Sequence, residues 1–148
     1  DVTSWVLAEV FEALHVADVA MEGMILKPNM IVPGKKCAKQ NSVEEVAERT
    51  VKVLKRYVPS AVPGIAFLSG GQSDEEATAH LNAMNAAHPD LPWALTFSYG
   101  RALQHAPQKA WSGKRENVPA AQAAFTHRAK MNSLAATGGW KKEMEKAA

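Results

Sequence analysis

A chain of 148 residues, 47% hydrophobic and 22% charged, carries enough apolar side chains for one sizeable core, which excludes disorder as its overall state. A net charge of +2 is too mild to point to nucleic acid, and no apolar run approaches the about 20 residues that a membrane span needs. The start Asp1-Val2-Thr3-Ser4 lacks a basic leader, and Cys37, alone in a Lys/Gln-rich loop, permits no intrachain disulfide. The expectation is a soluble, unexported, cytoplasmic protein with no nucleic-acid or membrane partner.

In chain order, Leu7, Val10, Phe11 and Leu14 share one face at helical spacing and predict an amphipathic helix over about 3–15. The apolar run at 19–26 predicts a buried strand that ends at Lys27-Pro28, and Pro33-Gly34 prolong an irregular loop to about Gln40. Ser42 and Glu45 form a capping box that opens a helix with the stripe Val43, Val46, Ala47, Thr50, Val51, Leu54 and Tyr57. Pro59 and Pro63 close it before a strand at about 64–68. Ser73 and Glu76 repeat the box, starting a helix whose Ala77, Leu81 and Met84 face one way, and Pro89 and Pro92 end it before a strand at about 93–98. Two helices follow, at about 100–111 and 118–136, the second with Asn117 as a candidate N-cap. The tail Lys141, Lys142, Glu143, Glu145 and Lys146 reads as a solvated or frayed end. Strands about 30 to 45 residues apart, separated by helices and apolar on both faces, predict an α/β fold in one domain over 1–148. The sheet would be parallel and covered by helices.

In such folds functional groups collect at the carboxyl ends of the strands, and all three strand ends here carry suitable chemistry. Lys27 ends the first. Desolvated against an apolar wall, its amine would be a nucleophile toward a ketone; with its stem in the core and its head in water, it would be only a snorkelling lysine. Ser69-Gly70-Gly71 after the second strand lets backbone amides approach an oxyanion, with the positive end of the helix starting near Ser73 close by. Glycine pairs are equally at home in plain strand-to-helix turns. Ser98, Gly100 and Arg101 follow the third strand, where a guanidinium fork grips either a phosphate or a carboxylate. His15, His80, His88, His105 and His127 show no ligand spacing, so they read as surface residues and no metal is predicted.

Together the stretches MEGMILKPNM at 21–30, VPGIAFLSGGQS at 62–73 and WALTFSYGRALQ at 93–104 resemble the class I, Schiff-base fructose-1,6-bisphosphate aldolases, in the family's order and at its intervals. The similarity extends from about Leu7 to Leu134. The resemblance implies a partial (β/α)8 TIM barrel made of the last three βα units, strands six to eight, plus the C-terminal helix. It implies Lys27 as the imine-forming residue and Ser69, Gly70, Gly71, Ser98, Gly100 and Arg101 as holders of the substrate phosphate, with no metal or organic cofactor. The implied reaction is reversible cleavage of fructose-1,6-bisphosphate to dihydroxyacetone phosphate and glyceraldehyde-3-phosphate. The family's acid and base residues on earlier strands have no counterpart here, and the end Lys146-Ala147-Ala148 stands where the family's tail commonly finishes in tyrosine. The expectation is therefore an incomplete barrel, inactive alone, that forms a homo-oligomer or pairs with a complementary barrel half. The alternative is a non-catalytic phosphate-binding or assembly half-barrel.

Overall fold

The computed structural model describes residues 2–146; Asp1 and the terminal Ala147-Ala148, on which the leader and tail expectations partly rest, lie outside the described residues. Three parallel strands, β1 (Ile25–Leu26), β2 (Gly64–Phe67) and β3 (Ala94–Phe97), form one sheet in the order β1-β2-β3. Ile25 pairs with Gly64, and Gly64 in turn with Ala94, which brings the three strand ends to the same edge of the sheet. The helices are α1 (Val2–Val16), α2 (Val43–Tyr57), α3 (Asp74–Ala87), α4 (Arg101–Trp111) and α5 (Val118–Ala135).

Both capping boxes form as the sequence predicts. Ser42 Oγ accepts from the Glu45 amide while Glu45 accepts from the Ser42 amide, and Ser73 and Glu76 repeat the exchange. The α2 stripe is buried through Val46, Ala47, Thr50, Val51 and Leu54, and α3 contributes Ala77, Leu81 and Met84. These meet Ile65 and Phe67 of β2, both fully enclosed, in the main core. Asn85 fastens the layers, its Nδ2 donating to the carbonyls of Leu95 and Ala135.

The structure departs from expectation at several places. The run 19–26 is not one buried strand: Met21–Gly23 is a 3-10 turn and only Ile25–Leu26 extend, on the edge of the sheet, with Ile25 59% exposed. An edge strand has a partner on one side only, so apolar content does not by itself produce burial. On α1, Leu7 and Phe11 are buried but Val10 is exposed, as are Val2, Trp5 and Val6. Asn117 makes no side-chain cap; its Nδ2 instead donates to the Trp111 carbonyl and closes the α4–α5 connection.

The tail is anchored rather than frayed over Lys142–Lys146. Glu145 accepts hydrogen bonds from Arg128 Nη1 at 2.5 Å and Trp140 Nε1 at 3.0 Å, with His127 Nε2 at 3.2 Å. Arg128 is itself buried and donates through Nη2 to Thr78 Oγ1 and the Asp74 carbonyl, so the tail is tied through α5 to the first turn of α3. Burial pushes the Glu145 carboxyl up, and its bonds to Arg128, Trp140 and His127 outweigh that, leaving it below the usual carboxylate range. The chain reaches this clasp by way of Gly138, whose φ of +71° and whose backbone contact with Ala86, about 3.0 Å from any Cβ, leave no room for a side chain.

Candidate active site

The three strand ends are joined by main-chain bonds. The Leu68 amide donates to the Pro28 carbonyl at 3.0 Å, and the Ser98 amide to the Phe67 carbonyl at 2.8 Å. Lys27, Ser69 and Ser98 therefore follow one another across a single edge of the sheet. Lys27 is exposed, the second of the two placements open to it from sequence, for the same reason that Ile25 is: nothing among the described residues covers the outer side of β1. The loop behind it is nevertheless fixed, with Pro28 and Met30 buried and the Ile31 amide donating to Thr50 Oγ1 at 2.9 Å.

Ser69 is buried, and the Gln72 amide donates to its carbonyl at 3.0 Å, closing a turn across Gly70 and Gly71. Gly70 has φ +54°, a left-handed conformation that favours glycine. Arg101 reaches across from α4 and donates to the Gly70 carbonyl, so it braces the turn as well as charging it. One bond uses one of a guanidinium's five N–H groups. Tyr99, buried between Ser98 and Gly100, donates its hydroxyl to the Ala77 carbonyl at 2.9 Å and locks the third strand end onto α3; burial raises its pKa.

The helix termini divide differently from the sequence reading. The start of α3 is closed by its own capping box and carries Asp74, Glu75 and Glu76, a combination that works against a bound anion. The start of α4 has no side-chain cap at Gly100 and no acidic residue in its first turn. The helix terminus suited to an anion is therefore that of Gly100 and Arg101. An open cleft of about 780 Å³ runs between the two, lined by Gly71, Gln72, Glu76, Arg101 and His105 among others.

Three residues at this edge were not singled out by sequence. Lys35 lies over Gly71 so closely that a Cβ there would collide with its side chain, bringing a second cation to the turn. Gln72 Nε2 stands 2.6 Å from His80 Nδ1, and His80 is buried, which corrects the reading of all five histidines as surface residues. Burial lowers the His80 pKa, with Glu76 and Glu44 pulling the other way. The signals available were the Lys35-Lys36 pair in a loop and the position of His80 one turn beyond Glu76, and neither is distinctive alone.

A family model for class-I fructose-bisphosphate aldolase matches residues 1–148. The chain belongs to that family. It is 54% identical over 140 residues to the cytosolic fructose-bisphosphate aldolase 4 of Arabidopsis thaliana, covering 95% of this chain and 36% of that protein. It is 56% identical over 137 residues to aldolase C of Rattus norvegicus, covering 93% and 38%. The aldolase of Plasmodium falciparum, solved with TRAP and a small-molecule inhibitor, superposes with a TM-score of 0.91 at 51% identity over 95% of this chain and 40% of that one. The three parallel strands and their helices thus form part of an aldolase (β/α)8 barrel, and the chain spans under two fifths of the length of these curated relatives. No helix among the described residues is long and apolar enough to cross a membrane.

Proposed function

We propose that the chain is the part of a cytoplasmic class I fructose-1,6-bisphosphate aldolase that holds the imine-forming lysine and the ketone-side phosphate site. In this reading it supplies strands six to eight of the barrel as one domain over 1–148. The observation that carries the proposal is the alignment of Lys27, the Ser69-Gly70-Gly71 turn and Ser98-Gly100-Arg101 on one edge of the parallel sheet. The turn and the uncapped start of α4 hold the phosphate of dihydroxyacetone phosphate, with Arg101 between them. That anchoring fixes the ketone carbon relative to the end of β1, where the amine of Lys27 adds to it and water is lost to give a protonated imine. The iminium withdraws electrons from the adjacent carbon-carbon bond, so cleavage and formation of that bond become accessible. The groups that move protons in the remaining steps come from a complementary part of the barrel, which also covers the outer side of β1.

Borohydride reduction of the chain with dihydroxyacetone phosphate, followed by peptide mass spectrometry, tests this directly. The expected adduct is confined to Lys27, disappears in Lys27→Met, and grows when the complementary barrel part is added. Sugar-phosphate binding without any adduct, even in the complemented protein, would instead make this a non-catalytic phosphate-binding half-barrel. Normal turnover by complemented Lys27→Met would overturn the assignment.

A further inference from the structure

We propose that Gln72 and His80 form a positioning strut that holds the anion-binding turn and the Lys27 loop in one arrangement, and that this strut reverses its polarity and takes a second arrangement when His80 takes up a proton. The inference rests on the reading of the Ser69 to Gly71 turn as an anion site, and deepens it. Three connections meet at Gln72. Its backbone amide closes the turn on the Ser69 carbonyl at 3.0 Å. Its side-chain Nε2 faces both His80 Nδ1 at 2.6 Å and Met30 Sδ at 3.3 Å. Its Oε1 lies on the Gly70 side, 3.9 Å from where a Cβ on that glycine would stand. Met30 is fully enclosed three residues beyond Lys27, in the loop whose Pro28 carbonyl receives the Leu68 amide. One amide group thus spans the loops that carry the candidate nucleophile and the candidate phosphate turn.

The polarity of that contact depends on the imidazole. An amide nitrogen only donates, so Nδ1 of His80 must accept, which requires the neutral ring with its hydrogen on Nε2. On protonation both ring nitrogens donate, and two donors face each other at 2.6 Å. The amide of Gln72 then has to turn over, presenting Oε1 to the ring and its NH2 group to the Gly70 turn, and the Met30 contact is exchanged. The charged groups around His80 are Glu76 on its own helix, Glu44 from α2 and Lys35, which shares with it a cavity of about 180 Å³ also lined by Gln40 and Gln72. Burial opposes the protonated ring, and the two carboxylates favour it.

The test combines two readouts on the whole chain. Nuclear magnetic resonance follows the His80 ring nitrogens together with the Gly70 and Gly71 amides and the Met30 methyl across the histidine range. The expected result is that all of these move with a common midpoint in the wild type. In His80→Asn they stay still, because Oδ1 takes the place of Nδ1 as acceptor but does not titrate. Binding of inorganic phosphate is then measured over the same range, with His80→Asn carrying the ion's own ionisation as reference. Relative to that variant, the wild type should lose about two- to tenfold in affinity below the His80 midpoint, because the reversed amide turns its NH2 group toward the Gly70 turn and re-sets it. His80→Leu should show the loss at every pH. Gly70 and Gly71 standing still while His80 titrates, or phosphate bound with the same pH profile by wild type and His80→Asn, would overturn the strut. Co-titration in a protein that binds no phosphate would uphold the strut and sink the functional reading of the turn.

Discussion

β2 and β1 are hydrogen-bonded neighbours, yet β2 has a strand on each side and encloses Ile65 and Phe67 completely, while β1 is two residues long and leaves Ile25 59% exposed. The anion-binding candidate follows the first and the lysine candidate follows the second. The order of a loop at a strand end is inherited from whatever flanks the strand. The turn at Ser69 is braced by the loop after β1, by β3, by Arg101 and by α3, whereas Lys27 stands beside an edge that no described residue covers. The contrast separates the two halves of the proposed chemistry: the proposed phosphate turn is held by elements of this chain, whereas the proposed nucleophile stands at an edge that no described residue covers.

The comparison breaks first at the core. Phe67→Ala should lower stability by about 3–5 kcal/mol, measured by urea denaturation, because it empties a site with no exposed surface. A loss below about 1 kcal/mol would mean that β2 is not the anchor. Next is the clasp that steadies α3 from the far side. Arg128→Met leaves the Glu145 carboxylate without its charged partner, at a cost of about 3 kcal/mol, and should weaken protection of the α3 amides in hydrogen exchange.

The same clasp gives a pH signature. The folded carboxyl of Glu145 lies below its ordinary value, so the folded state holds its proton less tightly than the unfolded state does. The stabilisation is therefore present above the ordinary carboxylate range and is lost as pH falls through the depressed value. Glu145→Gln should flatten that acid limb of the stability curve, and an unchanged limb would remove Glu145 from the account. The smallest effect belongs to β1: Ile25→Ala should change the stability of the chain alone by under about 1 kcal/mol, and by more once a complementary barrel part covers the edge. Equal effects in both states would show that the edge is not where the partner docks.

Much of this was legible in the sequence because it is local. The boxes Ser42/Glu45 and Ser73/Glu76 act over three residues, and the α2 stripe reports its buried face directly. The strand ends were legible for the same reason, since each apolar run stops at a residue with chemistry. What escaped depends on distance. Glu145 sits in a lysine-rich tail whose composition signals solvation, and only folding brings it to Arg128, 17 residues away, and Arg128 in turn to Thr78. His80 looks like any polar position on a helix until Gln72 closes on it. The exposure of Lys27 was left undecided for a different reason: an apolar strand states that it needs covering, not whether the cover belongs to the same chain.

The strands lie side by side in the order in which they occur along the chain, with paired positions roughly 30 to 40 residues apart. A sheet of this kind grows outward during synthesis, since each strand leaving the ribosome finds its partner already made and needs only the intervening helix to turn back toward it. Among these three strands none pairs with one translated much later, and β1 keeps its outer side open throughout. Both strands that flank Phe67 precede α5 in the chain, so the turn at Ser69 has its neighbouring strands before α5 and the tail clasp come off the ribosome to hold α3 from behind.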